Sequence, residues 1–378
     1  MKINILSPGR SHLCNLAVEL EKQGHDVAFY SFVPALRAAR YGLPRRCSRS
    51  LVVPMLPFVI MERKLFRNVR FFHKITKIVL DYLTKIYMRK CDVAIVWSGF
   101  FTNSVAKAKR QGSKIIIERG NVHILTQREI FEKIPNLAKK DPVPDFDVNT
   151  ELKNYAKADY ISVGSTFVKN SFLSRGFPAE KIYLNCYGVD VSIFTPGFSS
   201  EKKYDVIMVG GWSYRKGCDL IVDAIRGTGL KFLHVGMIVD CPFPKDQNFT
   251  HVPAVDEINL PNYYRQAKVF IFPSREDGFG MVLLQAVACN LPIVGSLNCG
   301  AKDIKDVLNE YGNGKFIEII DPLDFQGLRR ATLKMLESSD ADASLKFEKY
   351  AESTLKKFSW TAYGERYSTF LHNVFPNK

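Results

Sequence analysis

Short apolar runs of strand-forming residues alternate with longer segments of helical periodicity along nearly the whole chain. The run Ile3–Leu6, for example, precedes a segment in which Leu13, Leu16, Ala17 and Leu20 recur at helical spacing. Such alternation predicts βαβ units and parallel sheets. The expected strands are Ile3–Leu6, Val27–Tyr30, Val93–Val96, Lys114–Ile117, Tyr160–Val163, Ile182–Asn185, Val206–Val209, Phe232–Val235, Val269–Phe272, Ile293–Val294 and Phe316–Ile317.

The alternation restarts near Tyr204, after a Pro-, Gly-, Ser- and Lys-containing segment at Pro196–Lys203 that predicts a linker. A chain of 378 residues has room for two domains, so we expect an α/β protein with two doubly wound, Rossmann-like sheets. The expected parts are an N-terminal domain at 1–195, a C-terminal domain at 196–360, and a last helix at 361–378 that packs back toward the first domain. Ligands of such sheets bind beyond the carboxyl ends of the strands, so the cleft between the domains is the expected site.

Positive charge is concentrated in the first half of the chain. The net charge is +15, and residues 1–195 hold 31 Lys and Arg against 16 Asp and Glu, whereas residues 196–378 hold 22 of each. This asymmetry predicts an acidic partner, which could be nucleic acid, an anionic lipid surface or a phosphorylated substrate. The eight cysteines form no CxxC pair, which indicates reduced thiols and argues against a zinc ribbon or a disulfide scaffold. No apolar run has the length of a membrane span, and no signal peptide is expected before a strand that begins near Lys2.

Segment 62–90 has the pattern of an amphipathic basic helix. Its apolar stripe consists of Leu65, Val69, Phe72, Thr76, Val79 and Leu83, and its opposite face of Arg63, Arg67, Arg70, Lys74, Lys77 and Lys85. Two interpretations stay open: a surface helix packed on its own domain, or an interfacial helix that meets anionic lipid. A group of arginines with no acid among them lies just upstream, at Arg37, Arg40, Arg45, Arg46 and Arg49.

Two glycine-containing loops follow expected strands and precede expected helices. Gly9 and Arg10 lie in the first βα turn, where glycine lets backbone N–H groups approach a ligand at a helix N-terminus. That turn contains no GxGxxG motif, which disfavours a dinucleotide site. The second domain opens with a strand, Gly210-Gly211, and then the adjacent cations Arg215 and Lys216. Two cations beside a cleft would suit a diphosphate whose departing charge must be stabilised.

Residues 272–286 form a third strand–loop–helix segment. The strand ends at Phe272, and the helix is expected to begin near Gly280. Backbone donors at that helix start can hold an anion, and Asp277 beside them can accept hydrogen bonds from sugar hydroxyls. Gln285 is expected about one and a half turns into the helix, on its ligand side.

In order and spacing, these segments resemble the retaining GT-B glycosyltransferases of family 4 (glycosyl transferases group 1). The resemblance extends over nearly the whole chain. It is carried by MKINILSPGRSH at 1–12, GHDV at 24–27, ERGNVH at 118–123, YAKADYISVGS at 155–165, KIYLNCYGVDVSIFTP at 181–196, VGGWSYRKG at 209–217, PSREDGFGMVLLQAVACNLPIV at 273–294 and FSW at 358–360.

The resemblance implies that residues 1–195 bind the acceptor and residues 196–360 a nucleotide sugar. It implies retaining transfer of a hexose from a nucleoside diphosphate sugar to a lipid-linked or saccharide acceptor, in cell-surface polysaccharide or glycolipid synthesis. With the basic first half, it predicts a cytoplasmic enzyme associated peripherally with the inner face of the membrane, without a cofactor or a metal. The implied catalytic residues are His123, Asp277, Arg215 and Lys216. The implied substrate-binding residues are Gly9, Arg10, Arg119, Gly211, Gly278, Phe279, Gly280, Met281, Val282 and Gln285.

The sequence departs from the family pattern at several positions. The E-x7-E motif becomes Asp277-x7-Gln285, which keeps one negative charge and replaces the other by an amide. The usual Gly-Arg is Gly210-Gly211, so Arg215 must supply the second cation, and YGVD at 187–190 replaces NGVD. Within ERGNVH, Glu118 and Arg119 could equally form an ion pair that shapes the loop.

Two other functions are compatible with parts of the sequence. A nucleotide-sugar epimerase has a similar two-domain architecture but would lack the segment at 273–294 with its GVD partner. The charge suggests a protein that binds nucleic acid or an anionic surface, yet no basic run with interleaved aromatic residues accompanies it, so nucleic acid is not expected. Two DxD triplets, Asp145-Phe146-Asp147 and Asp340-Ala341-Asp342, match a metal-binding motif of other glycosyltransferases. Two such matches indicate chance, and no metal site is assigned.

Overall fold

Two parallel β-sheets, one in each half of the chain, form the framework. The structure, a computed structural model, describes residues 1–61, 70–139, 143–197, 202–341 and 355–376. The strands of the first sheet are β1 (Lys2–Leu6), β2 (Asp26–Ser31), β3 (Ser48–Ser50), β4 (Val93–Trp97), β5 (Lys114–Arg119), β6 (Tyr160–Val163) and β7 (Ile182–Leu184). They lie in the order β3-β2-β1-β4-β5-β6-β7, and all neighbours are parallel.

The second sheet repeats this arrangement with six parallel strands. They are β8 (Tyr204–Val209), β9 (Phe232–Val235), β10 (Phe249–Val252), β11 (Ala267–Phe272), β12 (Ile293–Ser296) and β13 (Ile317–Ile320). Their order is β10-β9-β8-β11-β12-β13. The α/β class with two doubly wound sheets is therefore confirmed. Residues 198–201 of the expected linker are outside the described residues.

Helices connect the strands and cover the sheets. They are α1 (His12–Lys22), α2 (Ala35–Ala39), α3 (Val52–Ile60), α4 (Arg70–Tyr87), α5 (Thr102–Arg110), α6 (Ile124–Glu132), α7 (Pro135–Ala138), α8 (Asp145–Tyr155), α9 (Thr166–Leu173), α10 (Cys218–Ile225), α11 (Pro261–Tyr264), α12 (Met281–Ala288), α13 (Ala301–Asn309), α14 (Phe325–Ala341) and α15 (Trp360–Val374). Among the described helices, none is both long and apolar enough to cross a membrane.

The pleat of β1 shows how the first sheet is buried on both faces. Ile3 and Ile5 belong to the apolar cluster under α1 and α15, whereas Leu6 belongs to the cluster under α3, α4 and α5. Since successive strand residues point to opposite faces, a central strand with apolar residues on both sides must be covered by helices on both sides. This geometry leaves the carboxyl ends of the strands as the open edge.

The last helix returns to the first domain. α15 packs against α1, and a carbon added at Gly364 would lie 2.2 Å from Glu19 Cβ. The hydroxyl of Tyr367 donates to Glu118 Oε2 at 3.4 Å. Before α15, the backbone N–H of Val189 donates to the carbonyl of Phe358 at 2.7 Å, which joins the two places where the chain passes between the domains.

α4 differs from the predicted basic helix in the side that faces solvent. Residues 62–69 of that prediction lie outside the described residues, as do the side chains of Arg70 and of the other masked helical positions. Thr76 faces the core as expected, and so does Leu80, which was not part of the predicted stripe. Lys77, however, turns inward, where Nζ lies 2.7 Å from Asp147 and 4.7 Å from the centre of the Phe100 ring. An ion pair and an aromatic face together draw this cation away from the solvent face.

Candidate active site

The loop between β1 and α1 lies at the carboxyl edge of the first sheet. Ser11 caps α1, since its Oγ accepts from the N–H of Leu13, and Ser7 Oγ donates to the carbonyl of Gly9 at 2.9 Å. A cavity of about 190 Å³ opens over this loop. Its lining is Ser7, Pro8, Gly9, Arg10, Ser11, Phe32 and Trp97. Both substrate-binding residues predicted for this turn thus line one pocket.

Arg10 reaches from this pocket to the second domain. Its guanidinium lies 3.6 Å above the centre of the Tyr41 ring, and Nη2 donates to Glu257 Oε2 at 2.5 Å. Both charged side chains are more than one-third exposed, so the pair adds little to stability. It does place a cation between the two domains at the rim of the cavity.

The loop after β5 is organised by two buried charges. Glu118 lies 3.1 Å from His12 Nε2 at the start of α1. Arg119 Nη1 donates to Glu151 at 2.5 Å, and its other nitrogens donate to the Val122 carbonyl and to Gln127. The two residues therefore do not pair with each other, which corrects one of the interpretations above. Arg119 is buried and satisfied by the first domain; its role in binding substrate stays a prediction.

His123 caps α6 and is held neutral. Its ring packs between Tyr155 and Phe172, each with its centre 5.0 Å away, and Nδ1 accepts from the N–H of Leu125 at 3.3 Å. Burial, with Arg119 as a smaller contributor, lowers the pKa of His123 to about 4. Because Nδ1 accepts a hydrogen bond, the neutral ring carries its proton on Nε2, which can donate to a ligand oxygen.

Lys216 lies at the meeting point of the two loops of the second domain. Ser213 caps the short 3-10 helix Tyr214–Lys216, and Gly217 follows with φ +71°. A carbon added at Gly217 would lie 2.2 Å from the carbonyl oxygen of Pro273, so only glycine lets the loops approach this closely. Lys216 Nζ consequently pairs with Asp277 and lies 5.0 Å from the centre of the Phe272 ring.

Asp277 is partly buried and stays ionised. Burial alone would raise the pKa of this carboxyl, but the charges of Lys216 and Arg215 outweigh it, so the pKa lies below the usual value. Its Oδ1 also accepts from the backbone N–H of Phe279 at 3.2 Å. The structure thus brings together two of the predicted catalytic residues, Lys216 and Asp277, as one pair.

Arg215 is engaged by an acid that the sequence analysis did not single out. Its Nε lies 2.8 Å from Glu276 Oε2, and Nη2 donates to Asn121 Oδ1 of the first domain at 3.0 Å. Glu276 is fully buried and also accepts from the N–H of Val122 and from Gln127. Arg215 therefore links both domains. Its predicted contact with a diphosphate would use the guanidinium N–H groups that do not bind Glu276 or Asn121.

The loop 278–280 is shaped by close approach to the first domain. A carbon added at Gly278 would lie 1.7 Å from the carbonyl oxygen of Gly120, and Ser165 Oγ donates to the Gly278 carbonyl at 2.5 Å. Phe279 is buried against Tyr187, with ring centres 5.4 Å apart. The loop that contains His123 and the loop that contains Asp277 are thus neighbours across the cleft.

α12 begins directly after this loop. Gly280 precedes it with φ +79°, Met281 is exposed and Val282 is half-buried. The first N–H groups of a helix have no partner within the helix, so Met281 and Val282 are positioned to present donors to an anion. On the same helix, Gln285 Oε1 accepts from the hydroxyl of the buried Tyr264 at 3.0 Å.

A further contact between the domains comes from α13. Asp303 Oδ1 accepts from the N–H of Thr166 at 2.9 Å and from its hydroxyl at 2.5 Å. Burial raises the pKa of Asp303. Neither Asp303 nor Glu276 was predicted. Glu276 could have been predicted, because the two adjacent acids Glu276-Asp277 match the two adjacent cations Arg215-Lys216. Nothing in the sequence singled out Asp303.

Both aspartates of the first DxD triplet form ion pairs with basic side chains of the protein. Asp145 pairs with Arg128 at 2.8 Å, and Asp147 pairs with Lys77. Of the second triplet, Asp340 belongs to α14 and Asp342 lies outside the described residues.

Comparison with known proteins gives concordant results. Residues 203–338 match the family model of the glycosyl transferases group 1. An uncharacterized glycosyltransferase of Methanocaldococcus jannaschii is 27% identical over 163 residues, which is 41% of this chain and 44% of that protein. The chain thus spans less than half the length of this relative.

Solved structures match over the whole chain. Sucrose-phosphate synthase from Thermosynechococcus elongatus superposes with a TM-score of 0.72 at 15% identity, covering 100% of both chains. HepE from Anabaena, solved in complex with UDP-glucose, superposes with a TM-score of 0.63 at 13% identity, covering 99% of this chain and 100% of that one. These likenesses establish the fold. The chain therefore has the GT-B fold, and its residues 203–338 match the glycosyl transferases group 1.

Proposed function

We propose that this protein transfers a hexose from a nucleoside diphosphate sugar to a lipid-linked or saccharide acceptor, with retention of configuration and without a metal ion. The observation that carries the proposal is the Lys216–Asp277 pair, held between two glycine loops at the start of α12. A cation, a carboxylate and free helix N–H groups are the partners that a diphosphate joined to a sugar requires.

The donor would bind by exchanging partners with this pair. Lys216 would leave Asp277 for the diphosphate, because two phosphates carry more negative charge than one carboxylate. Asp277 would then accept hydrogen bonds from sugar hydroxyls, and Gln285 would contact the ribose. HepE, which shares this fold, is described in complex with UDP-glucose, and this supports a nucleotide sugar as the donor.

In the transfer step, the bond between the sugar C1 and the diphosphate oxygen breaks, and both electrons leave with the diphosphate. The acceptor hydroxyl oxygen forms the new bond on the same face of the sugar, and its proton passes to the departing phosphate oxygen. Lys216 and the start of α12 stabilise the charge that develops there. The neutral His123 donates from Nε2 to a sugar oxygen and so orients the ring.

The acceptor would occupy the first domain. The cavity above Gly9 and Arg10 lies at the carboxyl edge of the first sheet, where this fold class binds its ligands. The excess of cations in residues 1–195 favours an acceptor that is anionic or lies on an anionic membrane. We therefore propose an enzyme that acts at the cytoplasmic face of a membrane.

A panel of UDP-, GDP- and ADP-sugars tests the donor assignment. At least one should raise the melting temperature and be hydrolysed slowly without an acceptor, and the product anomer, read by NMR, should keep the donor configuration. Turnover should survive EDTA. Loss of turnover on chelation with recovery on added manganese would overturn the metal-free mechanism, and failure of every nucleotide sugar to bind would overturn the donor assignment.

A further inference from the structure

α3 and α4 expose apolar side chains on the outer side of the first domain. These residues are Val53, Leu56, Ile60, Ile78, Tyr82, Ile86 and Tyr87, and we call them the α3–α4 face. Val53 is 79% exposed and Tyr82 is 58% exposed. The two helices pack against each other and over the same apolar cluster, so both lie on the same side of the first sheet.

These residues are not displaced parts of the core. Each helix has a separate inner side, formed by Met55 on α3 and by Leu80 and Thr84 on α4, and all three are buried. Ile78, Tyr82 and Ile86 recur every four residues, which gives α4 a second apolar stripe that points outward. Single exposed apolar residues are common, whereas a group of this size marks a surface that contacts something else.

Charge on the same helices indicates what that contact is. The single carboxylate in the described parts of α3 and α4, Asp81, is buried and accepts from the N–H groups of Asn103 and Ser104 at the start of α5. Lys74 is exposed and Lys85 is half-exposed beside the apolar stripe. The face therefore presents apolar groups and cations, and its described part presents no exposed acid.

We propose that the α3–α4 face docks on an anionic lipid bilayer, with its apolar side chains inserted among the headgroups and its lysines at the lipid phosphates. An apolar stripe flanked by cations has the chemistry of an interfacial helix. This surface differs from the basic helix face predicted from the sequence, because Lys77 is turned inward and the exposed residues of the α3–α4 face are mainly apolar.

The location of α3 connects this surface to the acceptor cavity. α3 follows β3 at the carboxyl edge of the sheet. Its inner residues Met55 and Val59 pack in the same apolar cluster as Phe32, which lines the cavity. Docking would hold the cavity beside the headgroups, so the acceptor is an amphiphilic lipid that enters from the bilayer. This last step, unlike the docking itself, rests on the proposed function.

Vesicle co-sedimentation tests the docking. The full chain should bind phosphatidylglycerol-containing vesicles and bind pure phosphatidylcholine vesicles much more weakly. The variant Ile78→Glu/Tyr82→Glu should reduce binding to the anionic vesicles by roughly tenfold or more, because two charges would have to enter the headgroup layer. A second variant, Val53→Glu/Leu56→Glu, tests α3 in the same way. The matched control is Leu323→Glu/Leu333→Glu, which places the same charges at exposed apolar positions of the second domain.

The outcomes separate this inference from the proposed function. All variants should keep the nucleotide affinity and melting temperature of the wild type, because none of these residues belongs to the donor site. Unchanged vesicle binding by both face variants, or an equal loss in the control, would overturn the docking. A wild-type dimer that both face variants convert to a monomer without affecting vesicle binding would show that a second copy covers the face. Normal docking without binding of any nucleotide sugar would instead contradict the proposed function alone.

Discussion

At the scale of single residues, the site holds its charges in matched pairs. Lys216 faces Asp277, and Arg215 faces Glu276, so both of these neighbouring cations have a carboxylate partner. Pairing of this kind keeps buried charges from being left unsatisfied. A ligand must therefore attract these cations more strongly than a single carboxylate does, which favours a diphosphate over a monoanion.

Replacing Lys216 by alanine should weaken binding of the nucleoside diphosphate. A lost charge-assisted contact costs about 1.5–3 kcal/mol, or roughly a 10- to 100-fold rise in Kd. Removing the ammonium should also raise the pKa of Asp277, because burial then acts on the carboxyl with less opposition. Isothermal titration calorimetry measures the effect, with the exposed Lys245→Ala as the control. Equal affinity in Lys216→Ala and Lys245→Ala would place the diphosphate elsewhere.

Gln285→Glu should tighten nucleotide binding by about 1 kcal/mol, or roughly fivefold. One carboxylate oxygen would keep the hydrogen bond from Tyr264, and the other would accept from a ribose hydroxyl. Gln285→Ala is the comparison, since it removes both contacts and should weaken binding. The same titrations on a 2′-deoxynucleotide should show a smaller gain. A Gln285→Glu variant that binds more weakly than wild type would show that the amide N–H groups contact the nucleotide.

The residues of the site differ in how far sequence could predict them. Lys216 and Asp277 were predictable because each follows a strand in a glycine loop, and parallel strands bring such loops to one edge. The pair Asp303–Thr166 was not predictable, because it joins the two domains and depends on their relative orientation. That orientation is set by many weak contacts distant in sequence.

At the scale of elements, the strands with apolar residues on both faces were all predicted within a few residues. The strands that were missed, β3 and β10, lie at the edges of their sheets. β3 is Ser-Arg-Ser and carries no apolar residue, so no hydrophobic pattern could reveal it. An edge strand needs fewer buried side chains than a central one, and its sequence signal is correspondingly weak.

α3 shows the opposite case, in which a helix forms despite two prolines. Pro54 lies in the first turn, where backbone N–H groups have no helical partner to lose. Pro57 leaves the carbonyl of Val53 without its usual donor, and the exposure of Val53 lets water take that place. Solvent access thus explains why the helix persists despite both prolines.

The contact of α15 with α1 should be sensitive to the size of residue 364. Gly364→Val would place a carbon 2.2 Å from Glu19 Cβ and force the helices apart. Overpacking of this kind costs about 1–3 kcal/mol of unfolding free energy. Urea denaturation followed by circular dichroism measures the loss. Glu365→Ala, exposed on the same helix, should change stability little, and an unchanged midpoint for Gly364→Val would mean that α15 docks less tightly than described.

At the scale of the whole molecule, stability should fall in mild acid. Burial lowers the pKa values of His25, His123 and His234 to about 4, whereas histidines of the unfolded chain titrate near about 6.5. The unfolded chain therefore binds more protons between these values, so the unfolding free energy decreases as the pH falls through this window and levels off below it.

Urea midpoints measured from pH 8 to pH 4 check this expectation. Each ring contributes about 1.4 kcal/mol per unit of pKa difference, before relaxation of the structure is allowed for. His123→Asn keeps a capping side chain and removes one titrating group, so its stability should decline less steeply than that of the wild type. Parallel curves for the two proteins would show that His123 does not contribute.

The chain passes between its domains twice, and the backbone contact of Val189 with Phe358 joins those two passages. Two connecting segments that are fixed side by side act as a single hinge. The two domains could rotate about this hinge but could not move apart or slide past each other. We expect this arrangement to restrict the directions in which the cleft between the two domains can open. Cleavage of the chain within 196–203 should leave the two fragments associated. The reason is that α15, which belongs to the C-terminal fragment, packs against α1 of the first domain.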